Sequence, residues 1–139
     1  MPTTLVSTLK VDAGGFGATT ATRAVHVQAF DHVEVTVPAA DGGTDGEVTA
    51  EVQPGGAGQA RLVFITASAY PVDGGTPELA FTVEVGGADS TLPLDGPLLL
   101  AGAAIDGLLG SLREAAFSNR SNRAVDVQIL VGRDAVATP

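Results

Sequence analysis

The chain has no cysteine and no tryptophan, one tyrosine, and a single lysine, Lys10, among its seven basic residues. Without cysteine there is no disulfide framework and no thiolate metal site. Without tryptophan the core must be built from Val, Leu, Ile and Ala, with five phenylalanines in support. The near-absence of aromatic side chains also argues against a sugar platform, for which Phe16, Phe30 and Tyr70 are the only candidates. Positive charge is scarce: seven Lys and Arg stand against sixteen Asp and Glu, a net charge of −9. An acidic surface repels phosphate backbones and anionic headgroups, so neither nucleic acid nor a membrane is an expected partner. Long apolar runs are missing too. The longest, around Pro97 to Leu112, is broken by Gly102, Asp106, Gly107 and Gly110, too short for a spanning helix of about 20 residues. The start, MPTTLVSTLK, has no basic run followed by an apolar core, which predicts no secretory signal.

What is present is short alternation punctuated by glycine. The length, 139 residues, suits one domain, and the 18 glycines cluster between apolar runs, as expected of many strands joined by tight turns. The most regular alternation is Val125, Val127, Ile129 and Val131 against Asp126, Gln128 and Leu130. Period two in β-branched residues marks a half-buried strand. Leu79, Phe81, Val83 and Val85 repeat the pattern, and so do Val48, Ala50 and Val52. Arg61 to Ser68 is apolar on both faces and reads as a central strand. Val25, Val27 and Ala29, then Val33, Val35 and Val37, share one parity. Asp31 falls on that apolar face, so two strands are expected, divided by a turn or bulge near Phe30-Asp31. Residues 4–11 read as a first strand or a pairing arm, and further short strands are expected at 91–94 and 98–100. PGGAG at 54–58 reads as a turn, and Ser118 to Arg123 as a hairpin loop. The one helical pattern lies within Ala103 to Leu112.

Eight to ten short strands at this spacing predict an all-β jelly-roll-like sandwich, with an immunoglobulin-like sandwich as the alternative. The expected division is an N-terminal arm or linker over residues 1–22 and a single sandwich domain over 23–139. Residues 12–22 are Gly, Ala and Thr around Phe16 and read as a flexible connection or extended arm. Leu5, Val6, Leu9 and Phe16 would anchor such an arm on a neighbour, adding a strand to an open sheet edge.

Few residues suggest chemistry. His26, His32 and Glu34 could bind iron or zinc in principle, but alternation places all three on a polar strand face. Asp41, Asp45 and Glu47 lack the spacing of a calcium loop, and nothing brings Asp73, Asp89 and Asp95 together. The serines at 7, 68, 90, 111, 118 and 121 stand in no Gly-x-Ser-x-Gly turn. Gly14 to Gly17 is too short for a phosphate loop and has no lysine within it. Asn119-Arg120-Ser121 matches a glycosylation acceptor, which has no meaning without secretion. The expectation is therefore a non-enzymatic protein with no cofactor and no metal.

One resemblance bears on function. Gly96-Pro97-Leu98-Leu99-Leu100, Gly107-Leu108-Leu109-Gly110, Phe117-Ser118-Asn119 and Ile129-Leu130-Val131-Gly132-Arg133-Asp134-Ala135 together resemble the C-terminal pattern of small β-sandwich virion proteins of tailed bacteriophages. The resemblance implies a capsid decoration (cement) or other accessory protein of the virion, assembled in the host cytoplasm. Its partners would be itself, as a homo-oligomer with a trimer favoured, and the major capsid protein or another shell protein. It carries no catalytic residues. The alternative function is a sandwich module that binds carbohydrate or protein partners.

Overall fold

The computed structural model describes residues 3–12, 14–27, 29–52, 60–102, 104–109, 112 and 114–133. The expected turn at 54–58, the strand end Gln53 and the Asp134-Ala135 end of the resemblance lie outside these residues, as does Gln28. In chain order the elements are β1 (Thr3–Asp12), β2 (Ala18–Val27), β3 (Ala29–Val37), β4 (Gly46–Glu51), β5 (Ala60–Ala67), β6 (Val72–Asp73), β7 (Thr76–Pro77), β8 (Leu79–Val85), β9 (Ala88–Pro93), β10 (Leu98–Ala101), α1 (Ala104–Leu109), β11 (Glu114–Asn119) and β12 (Val125–Arg133). Among the described residues no helix is long and apolar enough to cross a membrane.

Two four-stranded antiparallel sheets carry the core, in the orders β10-β5-β12-β3 and β4-β11-β8-β9. Their wiring is nested. β3 pairs with β12, β4 with β11, β5 with β10, and β8 with β9, so the chain from Ala29 onward is a long antiparallel ribbon rolled into two layers. This is the jelly-roll arrangement of an all-β sandwich. Among the described residues the only hairpin joining neighbours within either sheet is β8–β9, which turns on Gly86 and Gly87, both at positive φ. β6 and β7 form a two-stranded ribbon of their own.

The alternating residues close on one another between the sheets. Val37, Val63, Ile65, Val127, Ile129 and Val131 come from one layer; Ala50, Leu79, Phe81, Val83, Ala115 and Phe117 come from the other. Phe81 and Phe117 stand directly opposite on β8 and β11, with ring centroids 5.7 Å apart in a tilted contact. Ile105 and Leu109, four residues apart on one side of α1, plug the core, while Leu108 faces out. Each large aliphatic or aromatic side chain buried here contributes roughly 1.5–3 kcal/mol.

Three expectations need correction. Residues 18–22 are not a flexible connection but the first half of β2, paired residue by residue with β1. Ser118 to Arg123 is not a hairpin loop: β11 and β12 lie in different sheets, so this segment crosses the sandwich. And no bulge interrupts the chain at Phe30-Asp31. β3 runs unbroken from Ala29 with one parity, and Asp31 is accommodated on its inward row by Arg133, whose Nε lies 3.0 Å from the carboxylate.

The crossing after β11 depends on Asn119, which is fully buried. Its Nδ2 donates to the Pro38 carbonyl at 3.2 Å and to the Arg123 carbonyl at 2.7 Å. Its Oδ1 accepts from the Ser121 amide at 2.9 Å and the Ser121 hydroxyl at 2.7 Å. The Ala40 amide then donates to the Ser121 carbonyl, which fastens this crossing to the one between β3 and β4. Gly46 belongs to the same junction: a Cβ there would overlap the Pro38 carbonyl. Asn119→Ala removes every one of these side-chain bonds and takes the acceptor from the amide of buried Ser121, while the Arg123 carbonyl keeps the Ser121 hydroxyl as a donor. The expected loss is about 2–4 kcal/mol, read as a lower urea midpoint with an unchanged slope.

Candidate functional site

Residues 3–27 form a hairpin that stands apart from both sheets. β1 and β2 pair over ten rungs, from Thr3 opposite Val27 to Asp12 opposite Ala18. At about 3.3 Å per residue the ladder is roughly 33 Å long. A 3-10 turn, Gly14–Phe16, closes it. Gly14 and Gly17 take positive φ, and the Gly17 amide bonds the Gly14 carbonyl. The rungs are rich in Thr and Val, which suit a pleated surface. Side chains reinforce them: Thr4 Oγ1 lies 3.0 Å from His26 Nδ1, and the Thr8 and Thr22 hydroxyls lie 3.4 Å apart.

Among the described residues, it is the base of the hairpin that packs on the sandwich. Leu5 and Val25 are a cross-strand pair on the face turned to the sandwich, with Val27 one step along. Val25, Val27 and Leu62 are buried together, with Leu5, Phe64 and Leu99 against them. This second, smaller core lies on the outer face of the β10-β5-β12-β3 sheet. It needs Gly132: a Cβ there would sit 2.5 Å from Leu5 Cδ1 and 2.9 Å from Val27 Cγ1. From Ala18 to Ala24 every β2 residue is exposed.

β1 has no strand on its other side among the described residues. Between that edge and the sheet lies a groove of ≈ 240 Å³, floored by Leu62, Phe64, Leu99 and Leu130 and walled by Leu5 to Thr8. The four sequence-based interface residues therefore divide. Leu5 is half-buried at the base, Val6 and Leu9 are 65% and 55% exposed, and the side chain of Phe16 lies outside the described residues. The hairpin also differs in charge. Residues 1–27 hold Lys10 and Arg23 against Asp12, a net +1, so the rest of the chain carries −10 of the total −9. A backbone edge with exposed apolar residues was legible as an arm in the sequence; the groove and Gly132 were not, because they arise from residues more than 50 positions apart, and for Gly132 more than 100.

The other candidates scatter. His26 is exposed on β2, while His32 and Glu34 face solvent on β3. Asp41 forms a backbone bridge with Thr44 in the loop before β4. Among the described residues no group of three or more His, Cys, Asp or Glu is placed to hold a metal ion. Asn119 has its amide turned into the protein and offers no nitrogen to a glycan. Tyr70 is half-buried, its hydroxyl 3.0 Å from Thr66 Oγ1 and accepting from the Ala67 amide, so it is no platform. An open depression of ≈ 590 Å³ marks the outer face of the other sheet, with Thr49, Thr82, Glu84, Asp89, Glu114 and Ala116 in its lining.

Compared with protein-family models, curated proteins and solved structures, the chain matches none.

Gly132→Ala should force Leu5 and Val27 apart and loosen the hairpin base at a cost of about 1–3 kcal/mol. The expected sign is a shift of the Leu5, Val25 and Val27 methyl resonances, with those of Ile65, Val127 and Ile129 unmoved. Equal disturbance of both sets would mean that the two cores are one.

Proposed function

We propose that this protein is a non-enzymatic structural component of a virus particle, of the capsid decoration or cement kind. It self-associates as a homo-oligomer and docks on a protein shell through its hairpin. The observation that carries the reading is the hairpin itself: a long ladder anchored only at its base, with an open strand edge and exposed Val6 and Leu9. An open, partly apolar edge in water is a template for pairing, and strand addition gives affinity through main-chain bonds while side-chain pockets select the partner. The jelly roll is used by viral capsid domains, though also by lectins and cupins, so the fold alone does not choose. The resemblance of the Leu- and Gly-rich C-terminal segment to phage virion proteins points the same way. The site of action is then the virion, assembled in the host cytoplasm.

A second reading is a carbohydrate- or protein-binding module. The polar depression on the β4-β11-β8-β9 face favours it, since open concave faces of sandwiches can hold extended ligands.

Phage particles purified from the source cells distinguish the two. An antibody against the chain should label intact particles, and purified protein should rebind to particles stripped of it. Deleting residues 1–22 leaves Val25 and Val27 in place, so the sandwich should keep its β-type far-UV spectrum while rebinding falls at least about tenfold, as expected when two exposed apolar side chains lose their burial. Unlabelled particles together with glycan-array binding would replace the first reading with the second.

A further inference from the structure

The groove beside β1 has a chemistry that this chain can supply. Its floor is Leu62, Phe64, Leu99 and Leu130, and its wall is a strand with a vacant row of backbone donors and acceptors. Five large apolar residues are exposed among the described residues, and two of them, Val6 and Leu9, belong to β1. We infer that the groove is filled by the β1 strand of a second copy, pairing antiparallel with the first across a two-fold axis. The inference deepens the self-association proposed above by naming its surface and geometry.

Geometry narrows the register. Two copies of one strand become antiparallel neighbours only about an axis normal to their sheet. That axis keeps each face on the same side, so the numbers of opposed residues must sum to an even value. Centring on Ser7 sets Leu5 opposite Leu9 of the second copy, twice over, Val6 opposite Thr8, and Thr4 opposite Lys10. Centring on Val6 leaves Leu5 against Ser7, and centring on Thr8 sets Val6 against Lys10. Of these three, only the Ser7 register sets leucine opposite leucine, and it does so twice. Leu5 already packs at the groove, so the second copy's Leu9 arrives beside it.

Charge favours the same arrangement. Two chains of net −9 repel. The hairpin, with Lys10 and Arg23, is where that repulsion is weakest. Because the pairing is antiparallel and both sandwiches lie on one side of the joined hairpins, each hairpin, net +1 over residues 1–27, extends toward the other copy's body, net −10. Opposite charges then meet where like charges otherwise would. The contact is isologous, so it unites two copies, or even multiples of two, where the sequence-based expectation favoured three.

A cysteine scan tests this directly, since the full chain has no thiol of its own. Ser7→Cys places both sulfurs at the axis, between strands whose opposed Cα atoms are about 4.5–5.5 Å apart, inside the range for a disulfide. Under mild oxidation Ser7→Cys should cross-link to a covalent dimer, while Thr20→Cys, on β2, should not. In sedimentation, the unmodified protein should show even-numbered species, and Leu9→Asp should weaken their association by roughly tenfold or more. Leu9 is exposed, so that variant should melt like the parent. A trimer, a monomer at all concentrations, or equal cross-linking by both cysteine variants would overturn the pairing. Those results leave rebinding to particles as a separate readout, so the loss of one proposal is not the loss of the other.

Discussion

The sandwich closes on β12. This strand is paired on both edges, to β3 and to β5, and its inward row of Val125, Val127, Ile129 and Val131 is buried throughout. Across the core it faces a layer centred on β11 and β8, where Phe81 and Phe117 meet. The constraint is nesting: β3, β4 and β5 must each find a distant partner, β12, β11 and β10, around the β8–β9 hairpin. The strand that closes the roll comes last in sequence, and most pairings are long-range. A fold of such topology is expected to form slowly, because chain closure precedes the contacts that reward it.

Much of this was legible from alternation alone. The parities of β4, β8 and β12 could be read residue by residue, since a half-buried strand must alternate. The central position of β5 was legible from apolar residues on both faces. The helix was visible as the one helical pattern, within Ala103 to Leu112. What could not be read was which loops change sheets. A short polar loop such as 120–124 serves a hairpin or a crossing equally well, and the choice is made by Asn119 reaching Pro38, 81 positions away. Asp31 was read as a reason for a bulge because its partner, Arg133, lies 102 positions off. The first half of β2 was missed as a strand because Ala18 to Thr22 has no apolar alternation of its own. Its conformation comes from the β1 ladder, and a strand exposed on both faces leaves no hydrophobic signal.

The hairpin follows a different logic from the sandwich. Its base rests on a small core outside the main one, admitted by the missing side chain at Gly132. Along its second strand every residue from Ala18 to Ala24 is exposed, and residues 1–27 carry net +1 in a molecule of net −9. An element with these properties gains stability when a partner covers it. Docking of the two parts through six apolar residues keeps the hairpin oriented and its free edge accessible, which lowers the ordering cost of association.

Hydrogen–deuterium exchange at low and high protein concentration tests most directly whether hairpin and sandwich are separate in this way. Amides of β12 and β11 should exchange slowly at both concentrations, at rates set by global unfolding. Amides of β1 should exchange quickly in dilute solution and become protected only as concentration rises. Protection of β1 equal to that of β12 in the most dilute sample, with no dependence on concentration, would make the hairpin part of the folded core and contradict the account.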